Sequence, residues 1–283
     1  MKKLRAAFAI LLLSALAILR VAPTNIVSEH GHSRIVSLAP NLTEIAFELG
    51  AGKQIVGVTT YCTYPPEAQK KEKIGDFINP NIEKIVALNP DLVVAERWTS
   101  SKIVPHLRGM GINVVETLSP KSLAEIYQVI REVGTAVGRA DRAEALVRKM
   151  QERVRAIADR GKRFPRHPTV YVEIDLPSWT VGRASFISEA VSLCGARNIF
   201  DDVERPALQV SRETVIERDP EIIISFDASV SEFHKRGGWE QIRAVRNEKI
   251  IADLDRNLLS HGNHRLVDGM EKLQARLEAI VTK

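Results

Sequence analysis

A pattern of 13 residues occurs twice in this chain, at a constant offset of 130 positions. Residues 82–94 read Ile-Glu-Lys-Ile-Val-Ala-Leu-Asn-Pro-Asp-Leu-Val-Val, and residues 212–224 read Arg-Glu-Thr-Val-Ile-Glu-Arg-Asp-Pro-Glu-Ile-Ile-Ile. Glu83 corresponds to Glu213, Ile85 to Val215, and Asn89-Pro90-Asp91 to Asp219-Pro220-Glu221. Each copy obeys the same physical logic. A short helix with apolar residues at helical spacing ends where proline forbids continuation and biases its predecessor out of the helical region. The apolar run that follows suits a strand buried on both faces, as a helix-covered parallel sheet requires. Two such units so far apart predict two similar α/β lobes.

The lobes also open alike. Arg34-Ile-Val-Ser-Leu38 reads as a strand, and Asn41 with Glu44 three residues on matches a helix capping box; the helix runs through Ile45, Phe47 and Leu49 and stops at Gly50. In the second half Thr169 to Ile174 is the strand, and Ser185 starts a helix through Ile187, Val191 and Leu193 that Gly195 ends. Between them lies a helical stretch from Ser122 to Gly161, with Gly134 and Gly138 marking a break. Its second part carries Ala145, Leu146, Met150, Val154 and Ile157 at helical spacing. At 1.5 Å per residue, roughly 20 residues make a strut about 30 Å long, which permits only a small hinge motion. The expected fold class is therefore α/β, with two Rossmann-like lobes, central parallel sheets and one long bridging helix. Its expected parts are residues 34–139, 140–161 and 162–283.

Residues 1–33 stand apart as a signal peptide and short leader. Met1-Lys-Lys-Leu-Arg5 is a basic cap, and Ala6 to Leu19 is a run of 14 residues with Ser14 as its only polar member. Such a run is short for a bilayer, which takes about 20 residues. Ala15-Leu16-Ala17 offers a cleavage site; a retained membrane anchor is the alternative. Loss of residues 1–17 lowers the formal charge from +5 to +2. With no basic run interleaved with aromatics, nucleic acid is excluded as a partner. Cys62 and Cys194 fall in different lobes, where a bridge would block closure, so both are read as unpaired thiols.

Further segments then carry a resemblance. They are Arg34-Ile-Val-Ser-Leu-Ala-Pro-Asn-Leu-Thr-Glu44, Val56-Gly-Val58, Tyr61-Cys-Thr-Tyr-Pro-Pro66, Asn81 to Val93 and Gln209-Val-Ser-Arg-Glu213. From about Arg34 to near the C-terminus the chain resembles the class III, helical-backbone periplasmic binding proteins that serve ABC importers of cobalamin, ferric siderophores and haem. Among these it looks most like the vitamin B12 binders. The resemblance implies a periplasmic monomer that holds a cobalamin-type small molecule between its lobes and delivers it to a permease dimer in the inner membrane. It implies that Glu83 and Glu213, on the outer surface of each lobe, meet arginines of the two permease subunits. It implies no catalysis and no resident cofactor, the ligand being a corrinoid or, alternatively, a ferric siderophore or haem. A signal-anchored sensor that binds without transport is the reading from another class.

A corrin or porphyrin is broad and flat, so aromatic side chains should face it with a few polar groups at the edge. Tyr61, Tyr64, Phe77 and Trp98, with Arg97 beside them, lie in loops after first-lobe strands, and Trp179 follows the opening strand of the second lobe. These are the expected ligand-binding residues, together with His261, which precedes the last helix and could cap a ligand's metal. Two departures from the B12 binders stand out. Arg205-Pro-Ala-Leu208 replaces a tryptophan that presses on their ligand, and no cysteine near Lys272 to Ala275 can pair with Cys194. Trp239 is expected to pack the second lobe. No phosphate loop, nucleophile elbow or metal-ligand spacing favours an enzyme.

Overall fold

The computed structural model describes residues 32–97, 102–176 and 178–282. The first lobe runs β1 (Ile35–Ser37), α1 (Pro40–Glu48), β2 (Ile55–Val58), α2 (Pro66–Gln69), β3 (Glu72–Lys73), α3 (Ile82–Ala87), β4 (Leu92–Glu96), α4 (Val104–Gly109) and β5 (Val114–Thr117). Its strands form one sheet in the order β3-β2-β1-β4-β5, every pair parallel. Helical crossovers cover both faces, so β1 and residues Leu92–Ala95 of β4 are wholly buried.

Two helices follow: α5 (Leu123–Ala136) and α6 (Ala140–Lys162). The long helix α6 has 23 residues, about 34 Å at 1.5 Å per residue. It touches both lobes. Near its start, Arg142 Nη1 donates to Leu49 O at 3.2 Å. Farther along, the Arg153 guanidinium binds Asp268 and Glu271 of the second lobe. Its buried stripe is Ala143, Val147, Met150, Ile157 and Gly161; Ala145, expected there, faces solvent. Gly134 does not break the chain but lies inside α5, where a Cβ would come 2.3 Å from the Ala143 Cβ. Its missing side chain lets α5 and α6 pack closely. The break belongs to Gly138, whose φ of +69° suits glycine.

The second lobe runs β6 (Thr169–Asp175), β7 (Trp179–Thr180), α7 (Phe186–Leu193), β8 (Arg197–Asn198), β9 (Leu208–Gln209), α8 (Arg212–Arg218), β10 (Ile222–Ser225), α9 (Val230–Lys235), α10 (Arg243–Arg246), β11 (Ile250–Ile251), α11 (Arg256–Ser260) and α12 (Leu266–Val281). The strand order is β11-β10-β6-β7-β9, with β8 beside β6. The pairs of β6 with β8 and β10, and of β10 with β11, are parallel; those of β7 with β6 and β9 are antiparallel. Only three residues separate β6 from β7, too few for the crossover that parallel pairing needs.

The sequence repeat becomes two equivalent units, α3–β4 and α8–β10. Asn81 Oδ1 accepts from Lys84 N at 2.9 Å, and Ser211 Oγ accepts from Thr214 N at 3.1 Å, so each helix is capped at the matching position. At the far end Asn89 (φ 45°) and Asp219 (φ 39°) turn through the left-handed region. Short polar side chains tolerate that region best among L-residues, so the residue before each proline makes the exit.

One core cluster runs through both lobes, joining Leu42 and Val94 to Val170 and Ile222 by way of Val147 and Met150 of α6. A smaller cluster backs each sheet. In the second lobe it centres on Trp239, 1% exposed and edge-on to Tyr171. There the Arg236 guanidinium lies over the Trp239 ring and forks onto the fully buried Glu173 carboxylate at 2.6 and 2.8 Å. Both cysteines are buried and unpaired. Burial pushes the Cys194 thiol up to about 12. At the end of the expected leader, His32 is tied to the first lobe: Gln54 Nε2 donates to its carbonyl and its ring approaches Asp91. No helix of the described residues is long and apolar enough to cross a membrane; the apolar run of residues 6–19 lies outside the described residues.

Candidate ligand cleft between the lobes

In a parallel sheet all strands end on the same edge, and the loops leaving that edge form a natural crevice. Here they do so in the first lobe. Ala39, Pro40 and Asn41 follow β1, Tyr61 follows β2, Phe77 follows β3, Glu96 ends β4 and Pro120 follows β5. All of these residues face one cavity of about 260 Å³, closed on its other side by Phe186, Ser260, His261 and Gly262 of the second lobe. Phe186 is placed by the Ser185 cap, whose hydroxyl accepts from Ile187 N. Gly262 is needed for closure: a Cβ would come 2.8 Å from Pro120 Cγ. The walls are apolar and aromatic, with Tyr61 and Phe77 edge to face at 5.2 Å between centroids. Tyr61 remains 56% exposed, so it stands at the open rim.

The polar groups are few and directed. Burial among these apolar walls raises the affinity of the Glu96 carboxyl for its proton, opposed by the neighbouring polar side chains of Ser119 and Asn41. His261 Nδ1 lies 2.8 Å from Glu44 Oε1. Glu44 is only 2% exposed, and its Oε2 accepts from Asn263 Nδ2 and Arg265 Nη1, both at 3.0 Å. One first-lobe carboxylate thus gathers three donors from the loop between α11 and α12. The capping-box reading of Asn41 and Glu44 fails here. Pro40 occupies the first turn and moves the cap to Ala39, which has no side-chain acceptor. Asn41 is then free to reach Glu96, and Glu44 to reach across the lobes. A second interlobe tie joins Glu189 Oε2 to Leu123 N at 2.8 Å.

Of the residues expected to bind ligand, Tyr61, Phe77 and His261 meet in this cavity. Tyr64 does not line it; the Arg265 guanidinium sits 3.7 Å from its ring centre and covers that face. Tyr64 instead borders a separate groove with Phe47, Glu48, Lys71 and His264. Trp179 also stays out of the cavity lining. It sits 39% exposed on the short antiparallel strand β7, paired with Gln209. Arg97 is exposed at the end of β4 and does not line it. Trp98 lies outside the described residues. Glu83 and Glu213 are exposed at equivalent positions in the first turns of α3 and α8, and Glu213 contacts Arg212 at 3.2 Å. Sequence reasoning missed Asn41, Glu96, Pro120 and Phe186; their place at strand ends and at a helix start was the signal that could have found them.

Comparison with known proteins agrees with this geometry. A family model described as periplasmic binding protein matches residues 35–256. An uncharacterised ABC transporter substrate-binding lipoprotein of Bacillus subtilis is 34% identical over 248 residues, covering 85% of this chain and 78% of that protein. A vitamin B12-binding protein of Pectobacterium atrosepticum is 33% identical over 213 residues, covering 73% of this chain and 76% of that one. The apo periplasmic haem-binding protein of Roseiflexus superposes with a TM-score of 0.81 at 28% identity, covering 89% of this chain and 100% of the other. With two lobes, a bridging helix and a cleft at the strand ends, the chain belongs to the periplasmic binding protein family and is of the kind that serves ABC transporters.

Proposed function

We propose that this protein captures a corrinoid of the cobalamin type between its lobes and hands it to an ABC permease. The observation that carries the reading is the interlobe cavity itself. Tyr61, Phe77 and Phe186 give it aromatic walls suited to a flat macrocycle, and Glu96 with Asn41 and His261 supplies a small polar set. Its 260 Å³ is below the usual 300–1,000 Å³ of small-molecule pockets, so a cobalamin occupies it only with the lobes parted. The B12-binding relative at 33% identity supports the corrinoid class. Export by the N-terminal signal, cleaved near Ala17, completes the reading.

The second reading is haem, supported by the Roseiflexus neighbour and by the imidazole of His261 in the cavity. Isothermal titration of the exported chain with cyanocobalamin, haemin and a ferric siderophore decides between them. Saturable 1:1 binding of cyanocobalamin is the expected result. Binding of haemin alone moves the assignment to haem, and binding of the siderophore alone refutes both macrocycle readings. Delivery is proposed to use Glu83 and Glu213. Equivalent helix positions give each lobe one outward anion, which suits a two-fold permease presenting one cation per subunit.

A further inference from the structure

We propose, resting on the macrocycle reading of the cleft, that Glu96 is a charge filter: it accepts hydrogen bonds from the neutral carboxamide edge of a corrinoid and rejects ligands that carry carboxylates. Among the described residues that line the cavity, Glu96 is the one carboxylate, and neither lysine nor arginine is present. Arg97, the next residue, is exposed and does not line it. The basic side chains of the loop before α12 are already engaged. The Arg265 guanidinium binds Glu44 and covers Tyr64, and His261 Nδ1 faces Glu44 at 2.8 Å. A negative group entering here meets a like charge with no lining cation to offset it, and apolar walls strengthen that repulsion.

The placement of Glu96 makes this a property of the first lobe alone. Glu96 ends β4, which lies beside the central strand β1. Pro40 and Asn41, which open α1 after β1, line the same cavity. A helix start favours an anion, and without an acid beside it would suit a ligand carboxylate. Here the carboxylate beside Asn41 is the protein's own. Burial disfavours its charge, while the polar side chains of Ser119 and Asn41 support it. Ionised, the group accepts through two oxygens with about four lone-pair sites, so it takes N–H donors from a ligand besides its present neighbours. The rim of a corrin bears primary amides, which supply such donors; the rim of a haem bears two propionates, which supply none. Asn41, Tyr61, Phe77 and Glu96 all belong to the first lobe, so this face meets a ligand in the same way while the lobes are parted.

The test holds each ring constant and changes only the charge at its edge. Cyanocobalamin is compared with its monocarboxylic acids, in which one side-chain amide is hydrolysed, and haemin with its dimethyl ester. Each is titrated calorimetrically at neutral pH into wild type, Glu96→Gln and Glu96→Asp. Wild-type protein is expected to bind cyanocobalamin at least tenfold more tightly than one or more of the acids, the amide nearest Glu96 deciding which, and to bind the ester more tightly than haemin. Glu96→Gln should bring these ratios below threefold, chiefly by tightening the anionic ligands. Glu96→Asp should keep the preference, which separates lost charge from disturbed packing. Equal affinity of wild type for cyanocobalamin and every acid, haemin bound more tightly than its ester, or a preference that survives in Glu96→Gln overturns the filter and leaves the macrocycle reading standing. A preference lost in Glu96→Asp as well as Glu96→Gln assigns the effect to packing and overturns the filter too. A folded wild-type protein that binds none of these ligands overturns the macrocycle reading itself.

Discussion

Replacing Glu44 with alanine should destabilise this protein far more than removing any exposed acid. Glu44 is 2% exposed, and among the described residues its carboxylate is the only acidic side chain paired with the half-buried His261 and one of two paired with Arg265, which is 13% exposed. Removing one partner of a buried pair typically costs about 3–5 kcal/mol, because the other charge stays desolvated without compensation. His261 and Arg265 keep some access to water, so the lower end of that range, about 3 kcal/mol, is expected. For a chain of this size each kcal/mol moves the melting temperature by about 2–4 °C, so a fall of about 6–12 °C follows. Urea unfolding followed by circular dichroism gives the free energy, with Glu204→Ala as the control. Glu204 pairs with Arg183 at an exposed site, where such pairs contribute at most about 1 kcal/mol. If Glu44→Ala costs no more than the control, the interlobe cluster is solvated and the argument is wrong.

Three other outcomes follow from the same structure. Gly134→Ala would ordinarily stabilise a helix by up to about 1 kcal/mol, but the new Cβ would overlap the Ala143 Cβ, so a net loss of about 1–3 kcal/mol is expected in the same unfolding assay. His264 titrates below the usual histidine range, chiefly because burial disfavours its charged form; Glu48, Glu44 and Asp268 pull the other way, and Arg265 adds to the lowering. The unfolded chain therefore binds the extra proton first, stability falls as pH drops through about 6.5, and His264→Gln should flatten that part of the stability–pH curve. Finally, the paired change of Glu83 and Glu213 to alanine should leave the melting temperature and ligand affinity unchanged, since both side chains are exposed, while abolishing uptake in cells. Loss of affinity in that variant would contradict a docking role.

The features read correctly from the sequence share a cause: each is decided within a few residues along the chain. The cap at Ser185, the glycine exits at Gly50 and Gly195, and the turns at Asn89 and Asp219 are local contests between backbone hydrogen bonds and side-chain geometry. The repeat transmitted them twice, and with the buried stripe of α6 it was enough to specify two α/β lobes and a bridge. Local rules misled where two of them competed. Asn41 and Glu44 have capping-box spacing, yet Pro40 set the helix start two residues earlier. Gly134 read as a breaker because its real role depends on Ala143 in a different helix.

The composition of the cleft was decided elsewhere. Which aromatics meet a ligand depends on which strand ends converge, so Tyr61 and Phe77 reach the cavity while Tyr64 is covered by Arg265, 201 positions away in the chain. The partners of Glu44 lie 217 to 221 residues downstream, and nothing near it in the sequence points to them. Sequence alone determined the elements and their duplication, because those follow from short-range sterics and hydrophobic period. Only the tertiary structure decided the site, because desolvation and charge pairing depend on what the fold brings into contact.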